Sequence, residues 1–144
     1  MKTHFLILLT ACFLVSCDVR RKDKIADDAT TQYEKMLKDT TTVQVIDSAF
    51  DFGKTSDGEK VEYSYRFKNS GTKPLVITSA TASCGCTVPQ KPDKPIMPGE
   101  TGFIKVVFDS KGRIGMAHKS ITVIGNTNPP FPQLLLTGEV IAKE

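Results

Sequence analysis

Residues 61–67, Val-Glu-Tyr-Ser-Tyr-Arg-Phe, alternate apolar and polar side chains without a fault. In an extended chain, successive side chains point to opposite faces, so this spacing predicts a strand with one face in a core. Similar short runs recur along the chain: 43–47 and 49–53, then 75–81, 102–109, 119–124 and 133–140. They are rich in β-branched and aromatic residues. Turn residues separate them: Asp57-Gly58, Asn69-Ser70-Gly71, Pro98-Gly99, Lys111-Gly112 and the stretch from Asn126 to Pro132. Glycine, proline and Asx residues punctuate strands because they accept the backbone angles or local hydrogen bonds of tight turns. About seven strands in roughly 100 residues is the rhythm of an immunoglobulin-like β-sandwich, so the fold class is all-β. The chain holds no tryptophan and no widely spaced cysteine pair. The predicted core rests on aliphatics with Phe50, Phe52, Tyr63, Tyr65, Phe67 and Phe108. There is no internal repeat.

Two stretches before residue 43 differ in texture. Residues 18–42 are mostly polar, but Ile25, Ala29, Tyr33, Met36 and Leu37 share one face of a helix. A short amphipathic helix and a disordered tether both fit that pattern. Residues 1–16 have a basic start at Lys2 and an apolar run from Phe5 to Val15, the layout of a secretory signal. That run is too short for a spanning helix. It closes on Leu14-Val15-Ser16-Cys17, which resembles the bacterial lipobox. The resemblance implies cleavage before Cys17 and acylation there. Each buried CH₂ contributes about 0.8 kcal/mol, so several acyl chains hold a domain firmly at a bilayer. The expected organisation is a signal peptide over 1–16, a lipidated tether over 17–42 and a sandwich over 43–144. The expected location is the bacterial cell envelope.

Composition sharpens this little. Removing Lys2 from the 19 basic residues leaves 18 against 16 acidic ones, a net charge of about +2. A nucleic-acid surface needs a basic face or stripe, and no nucleic-acid partner is expected. Cysteine arithmetic is more informative. Of four cysteines, Cys12 leaves with the signal and Cys17 takes lipid. Cys84 and Cys86 remain, in a compartment that favours disulfides, and within the molecule they can pair just with each other.

The pair sits in Ser83-Cys-Gly-Cys-Thr87. A flat strand places residues i and i+2 about 6.6 Å apart. A disulfide accepts roughly 4.4–6.8 Å between Cα atoms but needs Cβ atoms near 3.8 Å, so bonding requires a bend. Gly85 is the expected place for it, because glycine tolerates backbone angles that other residues resist. Four roles stay open: an inert disulfide, plain packing of small residues, a thiol-redox pair, or two soft ligands for copper or zinc. Zinc wants four ligands, and His118 is the one obvious third. A cysteine hydrolase would need a base and an orienting group beside the nucleophile, and His118 stands alone. No glycine-rich loop opens a helix, and Asp27-Asp28 reads as solvated charge in the tether. The Lys111-Gly112-Arg113 turn, with Lys119 nearby, reads as a solvated hairpin tip.

Several blocks occur in order: Phe-Asp-Phe-Gly (50–53), Phe-Lys-Asn-Ser-Gly (67–71), Pro-Leu-Val-Ile (74–77), Ser-Cys-Gly-Cys-Thr-Val-Pro (83–89), Pro-Ile-Met-Pro-Gly-Glu (95–100) and Phe-Asp-Ser-Lys-Gly-Arg-Ile-Gly (108–115). Together they resemble the bacterial family called domain of unknown function 1573, over residues 47–140. The resemblance implies an exported, often lipid-anchored Ig-like sandwich, distantly similar to major-sperm-protein and Hydin-type domains. Those relatives mostly act as interaction modules, and the family carries no established activity. One departure is Met116-Ala117, where the pattern expects an aromatic residue. The leading expectation is a non-catalytic module, held to a membrane through Cys17 and meeting an unidentified protein partner. It has no cofactor and no small-molecule substrate. The alternative is a thiol-redox or copper-handling envelope protein acting through Cys84 and Cys86.

Overall fold

The computed structural model describes residues 19–143, with side chains from residue 28 on. Residues 1–16, the expected signal peptide, and Cys17 lie outside the described residues. The chain divides into two compact units, one ending at Glu34 and one beginning at Lys35. The stretch before the sandwich takes the helical option: α1 spans Val19–Lys38. Lys35 and Lys38 occupy its last turn, where cations favour the exposed carbonyls. Among the described residues no helix is long and apolar enough to cross a membrane.

Eight strands follow: β1 (Val43–Val45), β2 (Ala49–Ser56), β3 (Lys60–Asn69), β4 (Ile77–Ala82), β5 (Thr87–Gln90), β6 (Thr101–Asp109), β7 (Gly115–Gly125) and β8 (Leu134–Ile141). One sheet runs β1-β3-β6-β5 and the other β2-β8-β7-β4. This is the immunoglobulin-like arrangement, with an extra strand, β2, lying parallel to the last one. The strand missed by the sequence reading is β5, which holds Pro89. Pro89 stands on an edge strand, where a missing donor is tolerated. β7 also begins at Gly115 rather than near Lys119.

The alternation in β3 buries as the spacing predicts, and it continues one step further than expected. Tyr65, Phe67 and Asn69 all face inward, while Ser64, Arg66 and Lys68 are exposed. The core joins Tyr65, Phe67, Leu75, Ile104, Phe108, Ile121, Leu134 and Leu136. Phe50, Phe52 and Tyr63 are half-buried against it, and Phe131, from a predicted turn region, joins it edge-on to Phe67 at 5.3 Å. The Tyr65 hydroxyl donates to the Leu135 carbonyl at 2.7 Å, and burial pushes its phenol pKa up.

The missing aromatic after Gly115 has a structural answer. Met116 points outward, 69% exposed, and the inward position is taken by Ala117. Ala117 pairs with Gly138 across β7 and β8. A Cβ at Gly138 would overlap the Phe52 ring, so these two small residues leave room for an aromatic supplied by β2. That ring reaches Phe108 at 5.7 Å.

The chain crosses between the sheets at five connections, β1–β2, β2–β3, β3–β4, β4–β5 and β6–β7, and two of them carry distinctive side chains. At the β1–β2 switch, Asp47 clamps Arg66: its carboxylate accepts from Nε at 2.7 Å, Nη2 at 3.0 Å and the Arg66 backbone N–H at 3.0 Å. The guanidinium fork holds the Asp47 carboxyl below the usual carboxylate range. The other lies between β4 and β5, and there the two cysteines sit.

Candidate functional site

Residues 83–86 form the turn that carries the chain from the end of β4, in one sheet, to the start of β5, in the other. Cys84 and Cys86 are bonded to each other, with Cα atoms 5.3 Å apart. That is shorter than the spacing of about 6.6 Å in a flat strand, so the expected bend is present. The expected need for glycine is corrected. Gly85 is not among the glycines with positive φ, and a Cβ there would meet nothing within 4 Å. The bend is an ordinary turn that an L-residue can make.

The crossover is anchored independently of the sulfurs. The Ser83 N–H donates to the Ser120 carbonyl at 2.9 Å, Thr87 to Cys84 at 3.2 Å, and Asp109 to Cys86 at 2.9 Å. The two sulfurs differ in access: Cys86 is 7% exposed and belongs to the core, whereas Cys84 is half-buried at the rim. The Thr87 hydroxyl lies 3.5 Å from Cys84 Sγ and 3.8 Å from Cys86 Sγ, within reach of both.

His118 is exposed on β7 and pairs with Thr137 on β8, in a shallow depression it shares with Asp51, Lys54, Met116 and Glu139. Lys54 and Glu139 form an ion pair at 3.4 Å there. No group of three or more His, Cys, Asp or Glu side chains able to hold a metal occurs among the described residues. Bonded sulfurs also offer no thiolate to a soft ion. Lys119 does not join the Lys111–Arg113 tip as expected. It turns inward, and its ammonium lies over the Phe108 ring at 5.9 Å from the centroid. Strand parity explains this: Lys119 occupies the same phase as buried Ala117 and Ile121.

Sheet edges supply the other candidate surface. All four edge strands carry a device that blunts pairing, and they differ in how much of the edge it covers. β5 has Pro89, β1 is three residues long, and β2 is bulged between Asp51 and Lys54. The fourth, β4, reads Ile-Thr-Ser-Ala-Thr-Ala and holds neither a charge nor a proline. Its register slips between Ile77 and Ser79 and then runs regularly through Ala82.

Sequence reasoning missed two buried asparagines that hold the opposite end of the sandwich. The Asn69 Oδ1 accepts from the Thr41 hydroxyl and the Gly71 N–H, while its Nδ2 donates to the Lys73 and Ile96 carbonyls. The Asn126 Nδ2 donates to the carbonyls of Met36, Asp39 and Pro74, and its Oδ1 accepts from Val76 N–H. Asn126 thus binds the end of α1 to the entry of β4. A signal for Asn69 did exist, because it falls in phase with Tyr65 and Phe67. Asn126 follows a strand end, where phase is lost.

The family model described as "Protein of unknown function (DUF1573)" matches residues 43–140. No curated protein matches the sequence. Among solved structures, a protein of unknown function from Porphyromonas gingivalis W83 is 20% identical at a TM-score of 0.60, over 72% of this chain and 48% of that one. This chain therefore spans about half the length of that relative. The ASH / PapD-like domain 7 of human CEP192 is 17% identical at a TM-score of 0.56, over 73% of this chain and 89% of that one. The VesB protease of Vibrio cholerae is 14% identical at 0.53, over 77% of this chain and 34% of that one. At these identities the likeness is one of fold.

Proposed function

Because this chain belongs to the DUF1573 family, whose fold is a PapD-like β-sandwich, we propose that it is a non-catalytic interaction module held to a bacterial envelope membrane through lipid on Cys17. The observation that carries the reading is the open edge of β4. An uncharged, proline-free edge presents unpaired backbone groups, and an extended partner segment satisfies them by adding a strand. Small side chains at Ser79, Ala80, Thr81 and Ala82 keep that edge sterically clear.

Two expected outcomes test it. Thr81 is exposed on β4, and a lysine there charges the edge. Proteins that copurify from an envelope extract with the wild type are expected to be lost with Thr81→Lys and kept with Lys68→Thr, on the other sheet. Equal retention by both variants removes β4 as the docking edge. Anchoring has its own test: Cys17→Ser is expected to move the protein from the membrane fraction to the soluble fraction. Unchanged detergent partitioning of that variant would defeat the lipid reading.

A second reading, thiol chemistry at Cys84 and Cys86, is favoured over the copper reading by the bond between the two sulfurs.

A further inference from the structure

We propose that the Cys84–Cys86 bond is a one-sided exchange site, at which an incoming thiolate bonds to Cys84 and Cys86 leaves. The proposal rests on the thiol reading and assigns its direction. It is independent of docking at β4.

Access sets the direction. Cys86 is packed in the core, so a nucleophile from solvent meets the half-buried Cys84 at the rim. The step balances as an exchange. The incoming sulfur forms a bond to Cys84 Sγ, the Cys84–Cys86 bond breaks, and its electron pair departs on Cys86 Sγ. The proton released when the incoming thiol ionised returns to Cys86. The Thr87 hydroxyl, within 3.8 Å of that sulfur, can donate a hydrogen bond to it as charge develops.

Two further features make the product long-lived and the fold indifferent to it. Cys86, once freed, is a thiol in apolar surroundings and therefore a slow nucleophile for the return step. The turn itself is held by the backbone bonds of Ser83, Thr87 and Asp109, none of which involves a sulfur. A disulfide that closes so short a loop also restrains the unfolded chain weakly, so its opening costs the fold little. The crossover thus captures a thiol on Cys84 without unfolding.

The thiol has two possible sources with the same chemistry: a small thiol, or a cysteine in a polypeptide. Since β4 ends at Ala82, two residues before Cys84, an extended chain paired on β4 ends close to the turn that carries that sulfur.

The test uses the full chain, purified without reductant. It is incubated with glutathione, quenched by alkylation, and mapped by mass spectrometry. Expected is an adduct on Cys84 with alkylated Cys86, in about tenfold or greater excess over the reverse adduct. An extended cysteine-containing peptide is run in parallel. Reaction about tenfold faster than glutathione assigns a polypeptide source, as effective concentration on a docked strand requires. Equal rates assign a small thiol. An adduct mainly on Cys86 overturns the proposal. So does a folded protein inert to glutathione at concentrations that open the urea-unfolded chain. Single variants give a second readout. Native Cys86→Ser is expected to alkylate about tenfold faster than native Cys84→Ser, with equal rates in urea. Equal native rates in two variants with wild-type circular dichroism would also overturn it.

Discussion

Phe67→Ala is expected to destabilise the sandwich by about 3–5 kcal/mol, in the range for removing a fully buried ring. Phe67 is 1% exposed and packs edge-on against Phe131. Across the β3–β6 ladder its partner is Gly102. A Cβ at Gly102 would overlap the Phe67 ring, so the ring lies directly on bare backbone. Deleting it leaves a void over Gly102 beside which Ile96 is the nearest other side chain. With bare backbone on one side, the void closes only as far as Ile96 and Phe131 shift, and the more of it stays open the higher the cost. Chemical denaturation of the wild type and variant measures this as a lower midpoint at unchanged slope. A loss below about 1 kcal/mol would show that the surroundings close over the site, contrary to the packing on Gly102.

Asn69→Leu is expected to cost about 2–5 kcal/mol despite its near-equal size and greater hydrophobicity, because orphaned buried polar groups each cost about 1–3 kcal/mol. The carboxamide of Asn69 uses both its acceptor and both its donor capacities, with four partners between 2.7 and 3.1 Å. The buried Thr41 hydroxyl loses the partner it has in Asn69, whereas the Ile96 carbonyl keeps the Leu75 N–H at 2.8 Å, the Gly71 N–H keeps the Thr42 carbonyl at 3.2 Å, and exposed Lys73 recovers most of its bond from water. The expected sum is therefore below four full penalties. Asn69→Asp offers no rescue, since a carboxylate would face the Lys73 and Ile96 carbonyls with no donor. Thermal and denaturant unfolding of both variants check this. If Asn69→Leu unfolds with wild-type stability, the network contributes nothing and Asn69 is merely tolerated.

These two residues show where sequence reading succeeds and where it stops. Period-two alternation from Val61 placed Phe67 in the core, and the same count places Asn69 there too. Its turn-forming chemistry masked that phase, since Asn-Ser-Gly is read as a surface turn. The candidate site divides the same way. Counting cysteines, with Cys12 and Cys17 assigned to the expected signal and lipid, left Cys84 and Cys86 as each other's partner if they bond, and the structure shows the bond. Their difference in burial was invisible, since a turn between sheets has no period to read. β5 was invisible for a related reason: proline's local cost disappears when a strand has a neighbour on one side only.

By itself, then, the sequence determined the all-β class, the core face of the long strands and the main turns, and it left Cys84 and Cys86 as each other's expected partner without deciding whether they bond. Each depends on local geometry or on elimination. Tertiary structure alone decided that β2 lies parallel to β8, that Phe52 fills the space over Gly138, that Lys119 turns inward over Phe108, and that β4 is the uncharged open edge. Those outcomes join residues from distant parts of the chain. Side-chain alternation says which face is buried, but it carries no information about which strand will lie alongside.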